Sequence, residues 1–173
     1  MRPAVPLRHH LLLEGARFFG SIIRVPGVIR VAVIGSILTT KTEPNDIDML
    51  VSVSAQCDLA QVAAIGRKLK GRAQERNAGA DIFLTDPNLQ YIGRTCSWKE
   101  CTPGIRLACK ARHCGRHVND DLQILTLRSE LTCAPPLELW PTVVRRCELP
   151  EDVERLLLQK ALVAASGRGG VGA

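Results

Sequence analysis

The chain has 173 residues, 46% hydrophobic and 23% charged, enough apolar content for one domain or a small domain with an appendage. A formal net charge of +6 favours an anionic partner such as a nucleoside triphosphate, RNA or DNA, while only 3% aromatic residues argues against a single-strand binder built on base-stacking platforms. No apolar run approaches bilayer-spanning length, so no membrane partner is expected, and Glu14 and Arg17 cut Leu11-Leu12-Leu13 short of a secretory core. Seven cysteines, an odd number, point to reduced thiols in a cytoplasm rather than a disulfide framework.

The first helix is predicted over His9 to Ile23, with Leu12, Leu13, Ala16, Phe19 and Ile23 on one stripe and His9-His10 facing solvent. Pro26-Gly27 ends it. Val28 to Ile34 (VIRVAVI) reads as a buried strand, bounded by Pro-Gly and by Gly35. A polar stretch then closes in the turn composition Glu43-Pro44-Asn45, and Asp46 to Val53 (DIDMLVSV) reads as a second strand with carboxylates at its start. Asp58 caps a helix running to about Arg76, with Leu59, Val62, Ile65, Leu69 and Ala73 inward. Asn77-Ala78-Gly79 stops it, and Ala80 to Leu84 forms a third strand closed by Asp86-Pro87.

Beyond residue 90 the composition changes. Residues 94–117 carry four cysteines, two histidines and six Lys or Arg against one Glu. Leu122 to Leu127 fits either a strand or a helix start, and Pro135-Pro136 is a break. Leu149-Pro150-Glu151-Asp152 opens a last helix, with Val153, Leu156, Leu157, Ala161 and Leu162 as its apolar stripe. The expected organisation is a core over 1–90, a Cys-rich basic extension and C-terminal helix over 91–165 packed on that core, and a flexible tail over 166–173. The fold class is α/β (α+β): a small mixed sheet with packed helices.

Strand alternation sends Asp46 and Asp48 to one face, about 6–7 Å apart at Cα, and Ile47 to the other. Carboxylates so close repel unless a cation sits between them, and an oxygen-only ligand set suits Mg²⁺. Asp81 on the next strand joins them if the two strands are neighbours, which would allow two metals about 3.5–4 Å apart; Asp86 competes for that place. Gly35-Ser36, at the end of a buried strand, offers close backbone approach and a hydroxyl to a phosphate.

Ile34-Gly35-Ser36, nine residues, then Asp46-Ile47-Asp48-Met49 resembles the signature of the DNA polymerase beta superfamily, close to its minimal nucleotidyltransferases. The resemblance covers residues 28 to 84 and implies a nucleotidyltransferase-like core over 1–90. It implies that Gly35 and Ser36 contact the β/γ-phosphates of an NTP and that Asp46 and Asp48 bind two Mg²⁺ ions. It further implies that Asp81 binds the catalytic metal and helps deprotonate an acceptor hydroxyl. Where minimal members follow Gly-Ser with a small residue, Gly and Arg, this chain has Ile37-Leu38-Thr39-Thr40-Lys41, which makes Lys41 the candidate triphosphate cation. Such proteins often serve in toxin–antitoxin or defence modules, modifying tRNA, another RNA or a protein acceptor. So short a chain leaves room for a partner subunit.

The cysteine spacing Cys96-x4-Cys101-x7-Cys109-x4-Cys114 offers two pairs to a structural Zn²⁺, against the plainer reading of packed thiols. Cys114 with His113 or His117 is a weaker candidate for a nucleophile pair. Arg94, Lys99, Arg106, Lys110, Arg112 and Arg116 form either a solvated surface or a phosphate-binding wall. Three functions follow in order: a Mg²⁺-dependent nucleotidyltransferase, a silent basic nucleotide- or RNA-binding module with a structural zinc, and a metal-dependent hydrolase.

Overall fold

The computed structural model describes residues 5–109, 113–115, 117–120 and 125–167, without the side chains of residues 106–108, 113, 114 and 120. In chain order these form α1 (Leu7–Ile22), β1 (Val28–Ile34), a 3₁₀ turn (Ser36–Leu38), β2 (Asp46–Val53), α2 (Leu59–Gln74), β3 (Gly79–Thr85) and β4 (Tyr91–Thr95). There follow α3 (Pro103–Ala108), β5 (His113–Gly115), β6 (Val118–Asp120), α4 (Ser129–Cys133), β7 (Leu137–Trp140) and β8 (Val144–Arg145). The last helix begins as α5 (Glu151–Val153), widens to a π-helical stretch over Glu154–Leu158 and ends as α6 (Gln159–Ser166).

All eight strands join one sheet in the order β5-β6-β4-β3-β2-β1-β7-β8. Only β2 and β3 run parallel, because α2 carries the chain back between them; the other pairs are antiparallel. The fold is α+β with a mixed sheet. Beyond residue 90 the described strands extend the sheet at both edges, through β4, β6 and β5 on one side and β7 and β8 on the other, while the terminal helix packs into the main core.

The sheet has two unlike faces. Ile47, Met49 and Val51 of β2, Ala80, Ile82 and Leu84 of β3, and Val31 and Val33 of β1 meet α1, α2 and the terminal helix in the main core. The alternate residues Ala32, Ile34, Leu50 and Phe83 face the other way, under Tyr91, Leu125, Leu127 and Leu131. Asp46, Asp48 and Asp81 share this second face by alternation.

Several elements depart from the sequence expectations. The α1 helix begins two residues before His9, and Leu11, Phe18 and Ile22 are buried where Leu13 and Ile23 were expected. The run of three leucines hides the helical phase. His9 and His10 are half-buried rather than solvent-facing, and the His10 ring shares a 2.9 Å hydrogen bond with the Arg72 carbonyl. The inward residues of α2 include Ala63 and Gly66, with Leu59 and Ile65 half-buried; its cap is Asp58, which accepts from the Ala60 N–H at 2.9 Å. Leu162 is 48% exposed, because the buried stripe runs through Val153, Leu157 and Ala161 in four-residue steps and Leu162 falls beside it. Residues 125–127 are neither strand nor helix, while residues 121–124 and the tail from 168 lie outside the described residues.

One ion pair ties the first helix, the last helix and the loop before β2 together. Arg8 donates to both Asp152 carboxylate oxygens, at 2.6 and 3.0 Å, and its third donor reaches the Lys41 carbonyl at 3.0 Å. The guanidinium holds the Asp152 carboxyl below its ordinary value of 3.8. That stabilisation is present above the unfolded value and is lost as pH falls through the depressed folded one. Arg8→Ala should therefore cost about 2–3 kcal/mol at pH 7, and the gap to wild type should narrow below pH 3.8. Thermal denaturation at pH 7 and pH 3 checks both points; an equal gap at the two values contradicts them.

Candidate active site

The acidic cluster is built by strand register. In the parallel pair, Asp48 stands directly opposite Asp81, and Asp46 opposite Gly79. Partner residues in a sheet send their side chains to the same face, so Asp46, Asp48 and Asp81 converge at the start of both strands. Glycine at 79 leaves no side chain beside Asp46 on β3. On the other flank, Ile34 at the end of β1 pairs with Asp48, which brings Gly35 against the same carboxylate. Gly35 sits at φ 82°, ψ −168°, and a Cβ there would lie 2.9 Å from Asp48 Oδ2. The backbone conformation favours glycine, and a side chain there would press on the Asp48 carboxylate.

Asp48 bears the strain of this crowding. Burial, then the charges of Asp46 and Asp81, push its carboxyl up from 3.8 to about 7, against smaller opposing effects from Arg94 and the Asp81 N–H. Two cations approach Asp81: Arg94 Nη1 lies 3.5 Å from Oδ2, and Lys70 Nζ lies 3.9 Å from Oδ1. Ser36 opens the 3₁₀ turn after Gly35, and its carbonyl accepts from the Thr39 N–H at 3.0 Å and the Thr39 hydroxyl at 2.7 Å. Lys41 is exposed in the following loop, pinned by its backbone to Arg8.

The structure thus brings together Gly35, Asp46, Asp48 and Asp81, with Ser36 next in the bend. It removes Asp86 from contention. Asp86 follows the opposite end of β3 from Asp81, and its carboxylate accepts the N–H groups of Asn88 and Gln90 at 2.8 and 2.9 Å, as a turn cap.

The donor set fits Mg²⁺ in kind. It is all carboxylate oxygen, half-buried, and crowded enough to hold one member near neutrality, a charge excess that a divalent cation relieves. The fit is open rather than closed: among the described residues no three His, Cys, Asp or Glu side chains are gathered as a ready-made metal cage.

The cysteine segment is looser. Cys96 and Cys109 are half-buried free thiols, Cys101 is an exposed one, and the Cys114 side chain lies outside the described residues. The Cys96 sulfur accepts from the Trp98 N–H at 3.4 Å. Of the basic wall, Arg94 reaches the cluster and Lys99 is exposed; Lys110, Arg112, Arg116 and the Arg106 side chain lie outside the described residues. Sequence reading passed over Lys70 and Arg67, although their three-residue spacing on α2 sets both on one flank.

Comparison of the chain with protein-family models, with curated proteins and with solved structures gives no match. Among the described residues no helix is long and apolar enough to cross a membrane.

The raised Asp48 carboxyl sets a pH dependence of known sign. Between 3.8 and about 7 the folded state holds more protons than the unfolded one, so stability falls as pH rises through that window. Asp48→Asn should flatten this slope and make the metal-free protein about 1–2 kcal/mol more stable at pH 8, allowing for solvent screening. Millimolar Mg²⁺ should raise the Tm of wild type and not of the variant. Denaturation at pH 5 and pH 8, with and without MgCl₂, reads all three. A variant less stable than wild type at both pH values contradicts the crowding.

Proposed function

We propose that the protein is a Mg²⁺-dependent nucleotidyltransferase of the DNA polymerase beta type, moving a nucleoside monophosphate from an NTP to an acceptor hydroxyl. The observation that carries this reading is the convergence of Asp46, Asp48 and Asp81 beside the Gly35 bend, on one face of β2 and β3. Asp46, Asp48 and Asp81 would hold the metal, which when bound neutralises phosphate charge and polarises the phosphoryl group.

The remaining work falls to the chain. Gly35, with no side chain, lets phosphate oxygens approach the backbone, and the Ser36 hydroxyl adds a donor. Lys41 supplies a mobile positive charge from the adjoining loop. The acceptor oxygen forms a bond to the α-phosphorus, the bond to the β-phosphate bridging oxygen breaks, and pyrophosphate leaves. The hydroxyl proton passes to a carboxylate of the cluster, for which Asp81 is the candidate because it lies on the side away from Gly35.

A second reading has its own observation. Arg94 and Lys70 already face Asp81, and in a catalytically silent nucleotide- or RNA-binding module such cations would stand where a metal otherwise acts. A structural zinc on Cys96, Cys101, Cys109 and Cys114 belongs to that reading.

Incubation with α-labelled NTPs, Mg²⁺ and total tRNA or cell lysate separates the two. Transfer of label is expected from wild type, with loss of at least about 100-fold in Asp46→Asn and in Asp48→Asn, whose folds should persist. Lys41→Ala should weaken NTP affinity about tenfold, the loss of one charge-assisted contact. Nucleotide or RNA binding without any transfer supports the silent module, and full transfer by either Asn variant rules out the mechanism.

A further inference from the structure

Beside Asp81 the surface opens into a cleft that the carboxylate chemistry leaves without a role. Arg67 and Lys70 stand one turn apart on α2, facing the segment that leaves β4. Lys70 Nζ donates to Ser97 Oγ at 2.9 Å while lying 3.9 Å from Asp81 Oδ1. Next to Ser97, Trp98 is 43% exposed; the second tryptophan, Trp140, is buried at 4%. Arg67, Lys70, Gly71, Gln74, Ser97 and Trp98 line a cleft of about 480 Å³. It shares Arg67, Lys70 and Ser97 with a narrow crevice that reaches Asp81.

Two features of this cleft are costly without an occupant. A large indole presents its surface to water, which is unfavourable for apolar area. The Arg67 Nη1 atom is buried, yet it meets no acceptor among the described residues. A flat ring joined to an anion suits the exposed indole and the Arg67 and Lys70 cations that line the same cleft, and the volume is that of a small-ligand site. A nucleotide unit has that chemistry. Its base has a face for the indole, and its phosphate has acceptors for the guanidinium and the ammonium.

We propose that this cleft grips the acceptor end of a single-stranded RNA, with the terminal base stacked on Trp98 and its phosphate on Arg67 and Lys70. The inference rests on the nucleotidyltransferase reading and names its acceptor class. The scarcity of aromatic residues agrees with it. One platform holds one base, which fits a strand terminus presented to a reaction and not a protein that coats strands. A narrow crevice that shares Arg67, Lys70 and Ser97 with the cleft also touches Asp81, which sets the cleft beside the carboxylates.

The test is binding alone, in EDTA and without NTP, so that it does not depend on transfer. A single-stranded RNA octamer with a free end, added to the 173-residue chain, should quench tryptophan fluorescence, and Trp98→Phe should lose most of that change while keeping affinity. Trp98→Ala, at an exposed position where folding is preserved, should bind about tenfold more weakly. Arg67→Ala and Lys70→Ala should each lower the slope of log affinity against log salt by about 0.7. Asp48→Asn, inactive in transfer, should bind no more weakly than wild type.

A circularised octamer should bind at least about tenfold more weakly than the open one. Equal binding of the circle overturns the strand-end assignment. Absence of RNA binding while label still passes to a protein or small acceptor overturns this inference and leaves the transferase reading standing. RNA binding unaffected by Trp98→Ala overturns the cleft as its site.

Discussion

Mutual repulsion among Asp46, Asp48 and Asp81 is the interaction around which the site is arranged, and the backbone register forces it. A sheet places paired residues on one face at close spacing, so pairing Asp48 with Asp81 while Asp46 stands two residues back leaves the charges no way to separate. Gly35 seals the remaining flank, with no room for a side chain between the bend and Asp48. A stable fold retains such an arrangement only where the field is answered by something, and Asp48 shows the pressure by holding its proton up to about pH 7. Arg94 and Lys70 answer it in part, and only at the Asp81 end.

The rest of the fold serves to keep that arrangement rigid. The opposite face of the same strands is fully buried: Ile47, Met49 and Val51 have no exposure, and neighbouring positions on β3 are nearly as enclosed. A one-residue slip of β2 would turn the carboxylates into the main core, so hydrophobic burial on one side fixes charge convergence on the other. Arg8 adds a long-range brace. By holding Asp152 and the Lys41 carbonyl together it ties the loop between Gly35 and Asp46 to both ends of the chain. The loop that carries a candidate phosphate cation is therefore held at its backbone, with the Lys41 side chain exposed.

Legibility in the sequence followed how local each feature was. VIRVAVI and DIDMLVSV could be bounded to the residue, since β-branched apolar runs between turn signals have few alternatives. The pairing of Asp46 with Asp48 needed only alternation. Choosing Asp81 over Asp86 needed the parallel register of β2 and β3, a contact between distant segments that no local pattern encodes. The same is true of β7, four residues beside Pro135-Pro136, whose strand character comes from pairing with β1 rather than from its own composition. The phase of α1 was hidden by its unbroken leucines. The basic cleft by Trp98 was hidden because α2 and the segment after β4 supply its walls from separate stretches of chain.

Whether the carboxylates converge on a divalent cation can be tested directly, without assuming any reaction. Titration of ¹⁵N-labelled protein with Mn²⁺ broadens amide signals in proportion to their closeness to the bound ion. The account predicts that substoichiometric Mn²⁺ erases the amides of Gly35, Ile47, Asp48 and Asp81 first, that excess Mg²⁺ restores them, and that signals near Asp86 persist. Broadening centred elsewhere, or spread evenly over the acidic surface, would contradict it.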